Sequence, residues 1–511
     1  MGRAVNTSIW IGAGLVALSI SIASAQAPAR AKSPAPIELP HDPAKLARLL
    51  EDAVQREAAK DTALRGTVAA IVDGPALERL DPRRQHRALF VASRIAAEAR
   101  DLERAHTLMR RSTSLSTATS ADWMWRSTTA TLVGDFDDAA SSVATVAERW
   151  PEALERIGEQ SIARVALQAQ RSAGDESLLA LLSALFDAKW RYQHRGEPSE
   201  LWRELALLLL EERDTPKALE VVERITAANS IVRMRADRRF DSLRSLAPAR
   251  FDVEAAAARE LERFRESARS APDLIEPVLA LSAALAENGR CDEALAVVDE
   301  AIAHAWGPVP EGLPYRDGGE LYVWLLDARA SRLNCLGRDD EAVRQRVQAA
   351  ALTENGRPNV SQIINLAGLY ATLGRAQEAL DVLDGVGEPS AFGKMQEQGV
   401  RLRAYVQLGN ADGVRSALAY MNEHRDDALA SYQGALLFSG DADGAAAVLI
   451  DRLRDPRERA DTLFSVQIFG EAANAPNETR ERSRWRELLE RADVRAAIER
   501  VGRIESYPFL H

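Results

Sequence analysis

An all-α array of stacked helix pairs is the fold that this 511-residue sequence predicts, and three observations predict it. From about residue 43 apolar residues recur with a spacing near 3.6, β-branched residues are scattered, and a Gly repeatedly stands five residues before a small residue. The chain is also longer than one compact core usually holds, which implies several domains or a repeat array.

Taken in chain order, the first 25 residues read as a secretory signal peptide: Arg3 supplies the charge, an apolar run follows from Ile9 to Ala23, and Ala23-Ser24-Ala25 offers the small residues of a cleavage site. The run is shorter than the roughly 20 residues that span a bilayer, so cleavage after Ala25 is the reading. Residues 26–43 are a linker, because Pro28, Pro34, Pro36, Pro40 and Pro43 deny them a helix. Later apolar stretches such as "LLALLSALF" (178–186) have the length of buried helices. The sequence therefore predicts a periplasmic or secreted chain with no stable membrane insertion after signal cleavage. Arg far outnumbers Lys and Ala is abundant, a codon bias that points to a GC-rich bacterial genome.

Helices begin in earnest with "DPAKLARLLEDAVQREAAK", which sets Leu46, Leu49, Leu50, Ala53 and Val54 on one side. Residues 44–84 form an N-terminal helical cap, 85–456 about ten degenerate repeat units, and 457–511 a C-terminal helical cap. In "WMWRSTTATLVGDFDDAASSVATVAERWP" (123–151) Trp123 opens an apolar helix face, Gly134-Asp135 breaks the helix, Ala139 and Val143 share the next face, and Pro151 stops it. The Gly and small-residue step recurs in "LAENGRCDEALAVVDEAI", "LNCLGRDDEAVRQRVQAA", "YATLGRAQEALDVLDGV", "YVQLGNADGVRSALAYM" and "LLFSGDADGAAAVLIDR". The small residue falls at Ala105, Ala139, Ala218, Ala294, Ala342, Ala379, Val414 and Ala445. A small side chain there lets two helices approach to the roughly 8–10 Å at which their apolar faces interlock. Poorer units surround "QRSAGDESLLALLSALF" and "AAARELERFRESARSAPD".

This pattern resembles the tetratricopeptide repeat, a helix-turn-helix of about 34 residues with an early Trp and a late Pro. Arg126-Ser127 stands where the family has Leu-Gly, and Ala130 where it has Tyr. The resemblance implies a right-handed superhelical solenoid whose first helices line a concave groove for an extended peptide or a partner helix. In that register Arg87, Arg94, Met124, Trp125, Leu132, Ile364, Asn365, Arg403, Leu437 and Phe438 form the wall. Only Asn365 matches the residues with which some family members clamp a terminal carboxylate.

Charge and motif content narrow the chemistry. With 65 basic and 76 acidic residues the net charge is −11, and the arginines alternate with acids instead of forming the basic face of a nucleic-acid binder. The seven histidines show no zinc spacing. The acidic turns "GDFDDA", "GRDDEA" and "GDADGA" fail the calcium-loop pattern and read instead as helix caps. No nucleophile elbow or phosphate loop appears in the mature chain, so no catalytic residue, metal or cofactor is assigned.

Cys291 and Cys335 belong to neighbouring units whose helices place both near the same end; they are either a disulfide staple or two separate buried thiols. Between them "WGPVPEGLPYRDGGELYVW" (306–324) is an insert whose Trp306 and Tyr315 serve either as a recognition loop or as pins to the helices. Together these readings predict a non-catalytic exported scaffold that binds a protein or peptide partner. A component of a cell-envelope or polysaccharide-export assembly is the alternative of the same class, and a hydrolase or transferase with an unrecognised site that of another.

Overall fold

The computed structural model describes residues 39–55, 62–172, 174–305, 315–354, 357–470 and 476–510. The signal peptide, nearly all of the linker, and Trp306 with the first part of its insert lie outside the described residues. Two compact units divide the rest, one holding 39–192 and 204–214, the other 193–203 and 215–511.

Both units are stacks of helix pairs. The N-terminal unit contains the Pro82–Glu98 and Leu102–Thr113 helices, then Ser120–Val133 with Phe136–Arg149, then Glu159–Ser172 with Asp175–Asp187. The C-terminal unit runs from Ala228–Ala236 and Val253–Ser270 through Ile275–Glu287 with Cys291–Ala305, Gly318–Cys335 with Asp339–Ala350, and Val360–Thr372 with Ala376–Leu383. It continues through Ala391–Leu408 with Ala411–Glu423 and Leu429–Ser439 with Ala442–Arg454. The acidic turns are caps: Asp135 accepts from the Asp138 amide at 3.1 Å and Asp441 from the Gly444 amide at 2.8 Å. Each satisfies an orphan N–H and places negative charge at the positive end of its helix.

The turn between paired helices explains the recurring Gly. Gly134, Gly289, Gly337, Gly374, Gly409 and Gly440 all have positive φ, the left-handed conformation that ends a helix. Where the repeat lacks Gly, an Arg takes the same conformation: Arg100 at φ 62° and Arg213 at φ 64°. The turn at Arg100 keeps the same bonding, with the Asp101 amide donating to the Ala96 carbonyl at 2.9 Å as the Asp135 amide does to Ala130. A side chain in this region costs roughly 1 kcal/mol that Gly does not incur. Arg100→Gly is therefore expected to raise stability by up to about 1 kcal/mol, read as a higher urea midpoint at unchanged slope; a lower midpoint would contradict the strain.

Five residues on, Ala105, Ala139, Ala218, Ala294, Ala342, Ala379 and Ala445 are all completely buried. In three pairs the residue twelve positions earlier, on the other helix, is a Ser that meets the same crossing. Ser93 donates to the Ala105 carbonyl (2.9 Å), Ser127 to that of Ala139 (3.2 Å) and Ser282 to that of Ala294 (3.1 Å). A serine thus fits beside the small residue and fastens the two helices as well.

One pair departs from the expected register. Val414 is only half-buried, and the close approach is made by Gly413, where an added Cβ would lie 2.5 Å from Cγ of Tyr405. Gly413→Ala is expected to cost about 1–3 kcal/mol, because the ring must leave its place; a double variant with Tyr405→Ala should lose this penalty, and equal penalties in both backgrounds would refute the contact.

In the C-terminal unit the first helices of successive pairs touch one another, Ile275–Glu287 against Gly318–Cys335 and Ala391–Leu408 against both Val360–Thr372 and Leu429–Ser439. Successive second helices make no comparable contact among the described residues, which puts the first helices on the inner, shorter arc. The arc closes on itself: Ala228–Ala236 packs against Pro456–Ser465, and Arg233 pairs with Asp461 at 3.0 Å across 228 residues of sequence. The tail secures the closure, with Arg503 donating to the Asp241 carboxylate at 2.6 Å and Arg235 to Glu505 at 2.6 Å. Ile468–Phe469 pairs in parallel with Ser506–Tyr507.

Cys291 and Cys335 form a disulfide with Cα atoms 6.3 Å apart, joining the start of one pair's second helix to the end of the next pair's first helix.

Candidate partner-binding face

Apolar contacts consume most of each first helix, because it meets its own partner helix, the preceding second helix and its neighbours along the arc. Val360–Thr372 illustrates this, with Ile363, Ile364, Leu366, Ala367, Leu369, Tyr370 and Ala371 all in the core. What remains for the inner face is a narrow polar strip.

Polar side chains along and beneath that strip are paired with one another. Asn365 donates to Asp327 at 3.1 Å, and Arg346 pairs with the same carboxylate at 2.9 Å. Arg332 is buried and reaches Ser282 Oγ at 3.1 Å; burial pushes its pKa down to about 10. Arg452, 5% exposed, donates to Gln433 at 2.8 Å and to Glu458 at 3.0 Å. Asp461 has 68% of its side chain open to solvent. Even so, burial is the strongest influence on its carboxyl and opposes ionisation, while Arg233, Arg203 and Arg452 together hold it below its usual range. Glu260 is the opposite case, pushed up to about 7 by burial, with Glu287 and Glu200 adding to the rise against the Ala228 amide and Arg263.

The inner face also carries a helix of the chain itself. Pro476–Glu490 packs against Val360–Thr372, Leu429–Ser439 and Ala442–Arg454. Its Glu481 accepts from Arg403 at 3.0 Å, with 8% of the Glu481 side chain exposed. Arg484 donates to the Leu437 carbonyl at 3.1 Å and also to that of Phe438. Leu488, 1% exposed, joins the cluster of Leu436, Leu437, Leu449 and Ile498, with Trp485 packed on its edge. Full burial of one such side chain contributes about 2 kcal/mol.

The sequence-predicted wall is therefore partly interior. Ile364, Leu437 and Phe438 are core residues, and Tyr315 is buried with its hydroxyl donating to the Ala301 carbonyl at 3.2 Å. Ile364, Leu437 and Phe438 were expected to face a partner; dense packing around each first helix turns them inward instead, and Tyr315 takes the second of its two readings, a pin to the Cys291–Ala305 helix. Asn365 and Arg403 do reach the inner strip, each with an acidic partner. In the N-terminal unit Arg87, Arg94 and Leu132 are exposed, Met124 is half-buried, and Trp125 donates from its indole to Ser93 Oγ at 3.0 Å. Glu481, Arg484, Asp461 and Arg452 were not anticipated: Arg and acidic residues are so common here that no spacing singles them out.

Polar groups elsewhere have structural work. His86 meets Asp122 at 2.5 Å, but the other Asp122 oxygen accepts from the Thr119 amide at 2.7 Å and the Thr119 hydroxyl at 2.6 Å. That carboxylate closes a capping box and ties the Pro82–Glu98 helix to the next pair. Among the described residues no three His, Cys, Asp or Glu side chains gather as a metal site would need, and no helix is long and apolar enough to cross a membrane.

The geometry defines an all-α, tetratricopeptide-like helical-repeat protein. No protein-family model matches the chain, and no curated protein matches it. Among solved structures it is similar to one described as "Crystal structure of APC/C hetero-tetramer Cut9-Hcn1", at 12% identity over 87% of this chain and 96% of that one, with a TM-score of 0.29. That likeness is loose, and the class of the fold rests on the helix pairs themselves.

Proposed function

We propose that this protein is a non-catalytic scaffold, exported from the cytoplasm, that binds a protein or peptide partner on the inner face of its C-terminal unit. The observation that carries the reading is the pair of first-helix side chains on the stacked helix pairs, Asn365 and Arg403, each held by an acidic group. Side chains fixed by packing lose little entropy on binding, which is how a repeat surface gains affinity. The signal-like leader supports export, and so does the Cys291–Cys335 bond, since such bonds persist in oxidising compartments.

The test is crosslinking of the tagged protein in its native envelope followed by mass spectrometry. Crosslinks from one specific protein to residues around Asn365 and Arg403 are expected. Crosslinks confined to the outer, second helices, under conditions that capture a known complex, would overturn the assignment of this face.

A further inference from the structure

A segment of the same chain lies on the inner face. Three features mark Pro476–Glu490 as different from the helices it covers. Its sequence, "PNETRERSRWRELLE", is dominated by charged residues. Its fully buried apolar side chain among the described positions is Leu488, whereas Leu429–Ser439 beneath it buries Ala435, Leu436, Leu437 and Phe438. The rest of its hold is polar: Glu481 on Arg403, and Arg484 on the carbonyls of Leu437 and Phe438. Those two carbonyls belong to the last turn of the Leu429–Ser439 helix, the negative end of its dipole, and a cation there is favoured.

The segment is also followed by a tail with contacts of its own beyond those it shares with Leu488. Val494 and Ile498 of the Ala492–Val501 helix are core residues, and Arg503 and Glu505 bond to Asp241 and Arg235. Removing Pro476–Glu490 from the face takes Leu488 from the cluster that Val494 and Ile498 share, and leaves the polar closure through Arg503 and Glu505 in place.

We propose that Pro476–Glu490 is an intramolecular occupant of the partner-binding face, and that the partner is an amphipathic helix of the same chemistry. It would carry a carboxylate for Arg403, an Arg or Lys three residues later for the Leu437 and Phe438 carbonyls, and an aliphatic residue seven after the carboxylate for the Leu488 socket. Positions three and seven apart lie on one face of a helix, so a single stripe presents all three groups. The tethered helix competes at high effective concentration, and a partner binds only as far as it displaces it. This rests on the inner face being the partner site, as proposed above.

The test uses the full chain and one probe, a fluorescein-labelled synthetic peptide of residues 476–490. In the full chain carrying Glu481→Ala and Leu488→Ala, which loosens the tethered helix, the peptide is expected to bind at least tenfold tighter than in the wild type, by anisotropy. Adding Arg403→Glu should abolish that binding, and a peptide with Arg in place of Glu481 should restore it. Equal or absent binding in wild-type and loosened chains overturns the proposal. Hydrogen exchange on the wild type gives a reading that needs no variant. Amides of 480–490 should exchange at least tenfold faster than those of Leu429–Ser439, and equal protection would make this helix a permanent cap and overturn the proposal. A crosslinked partner that the peptide does not displace would overturn this inference alone and leave the scaffold reading standing.

Discussion

Reducing the Cys291–Cys335 bond is expected to destabilise the C-terminal unit by up to about 4 kcal/mol while leaving its helices formed. The bond spans 44 residues, and the chain-entropy model gives about that much for a loop of such length. The figure is an upper bound, since repeat arrays unfold by neighbouring pairs and the bond acts on the unfolded chain only where both its ends are released. Its position makes the effect local. It fastens the Cys291–Ala305 helix to Gly318–Cys335 at the edge of a cluster that includes Ile275, Val298, Leu325 and Ala328, so that stacking interface keeps its apolar core when the bond is opened. The measurement is the urea midpoint by circular dichroism, with and without a reductant, repeated on Cys291→Ala with Cys335→Ala. Both treatments should lower the midpoint alike with native helicity unchanged. A shift worth less than about 0.5 kcal/mol would show that stacking alone fixes the two units.

Much of the array could be read from residues because its geometry is local. A Gly that ends a helix and an Ala that admits the next one are five positions apart, within one turn and one helical repeat, so the pattern recurs in plain sight. Arg100 and Arg213 obey the same geometry without its signature, and only the step of five to Ala105 and Ala218 betrays them. Val414 shows the limit of spacing alone: it stands in the expected register while Gly413 makes the contact, because Tyr405 lies opposite.

The site was less legible, for a physical reason. Helical periodicity assigns a side chain to a face, but each first helix has several covered faces and one narrow open strip, so neighbouring residues such as Ile364 and Asn365 part ways, one to the core and one to the inner face. Closure of the unit was invisible altogether. Arg233 with Asp461 and Arg235 with Glu505 are ordinary ion-pair types separated by 228 and 270 residues, and nothing in a single sequence couples them. The sequence marks the inner-face helix as part of a terminal cap, which describes its polarity without revealing that Arg403 and the end of Leu429–Ser439 are what it covers.

Glu260→Gln is expected to stabilise the protein at neutral and alkaline pH and to leave it unchanged in acid. The Glu260 carboxyl is raised from 4.5 to about 7, chiefly by burial, and its side chain is 18% exposed. Below about pH 4.5 the folded and unfolded chains both hold the proton, and Glu260 contributes no slope. Between about 4.5 and 7 the folded chain keeps a proton that the unfolded chain has released, so stability falls as pH rises; above about 7 the loss is complete. A shift of this size corresponds to at most about 3.5 kcal/mol. The charged groups that bear on the carboxyl are Glu287 and Glu200, which oppose its ionisation, and Arg263, which lies 3.4 Å away and favours it. Gln keeps an oxygen for the Ala228 amide, now 3.0 Å from the carboxylate, and removes the charge that the acids repel. It also leaves Arg263 with the Thr226 hydroxyl at 3.1 Å, so the net gain at pH 8 should fall below the bound. Urea midpoints from pH 4 to pH 8 are the measurement: wild type should decline through the window and the variant should stay flatter. Parallel profiles would mean that Glu260 ionises in the ordinary carboxylate range. Since the Ala228 amide lies at the start of the very helix that meets Pro456–Ser465, any such loss falls on the element that closes the unit, and proteolysis within 228–240 should quicken over the same pH range.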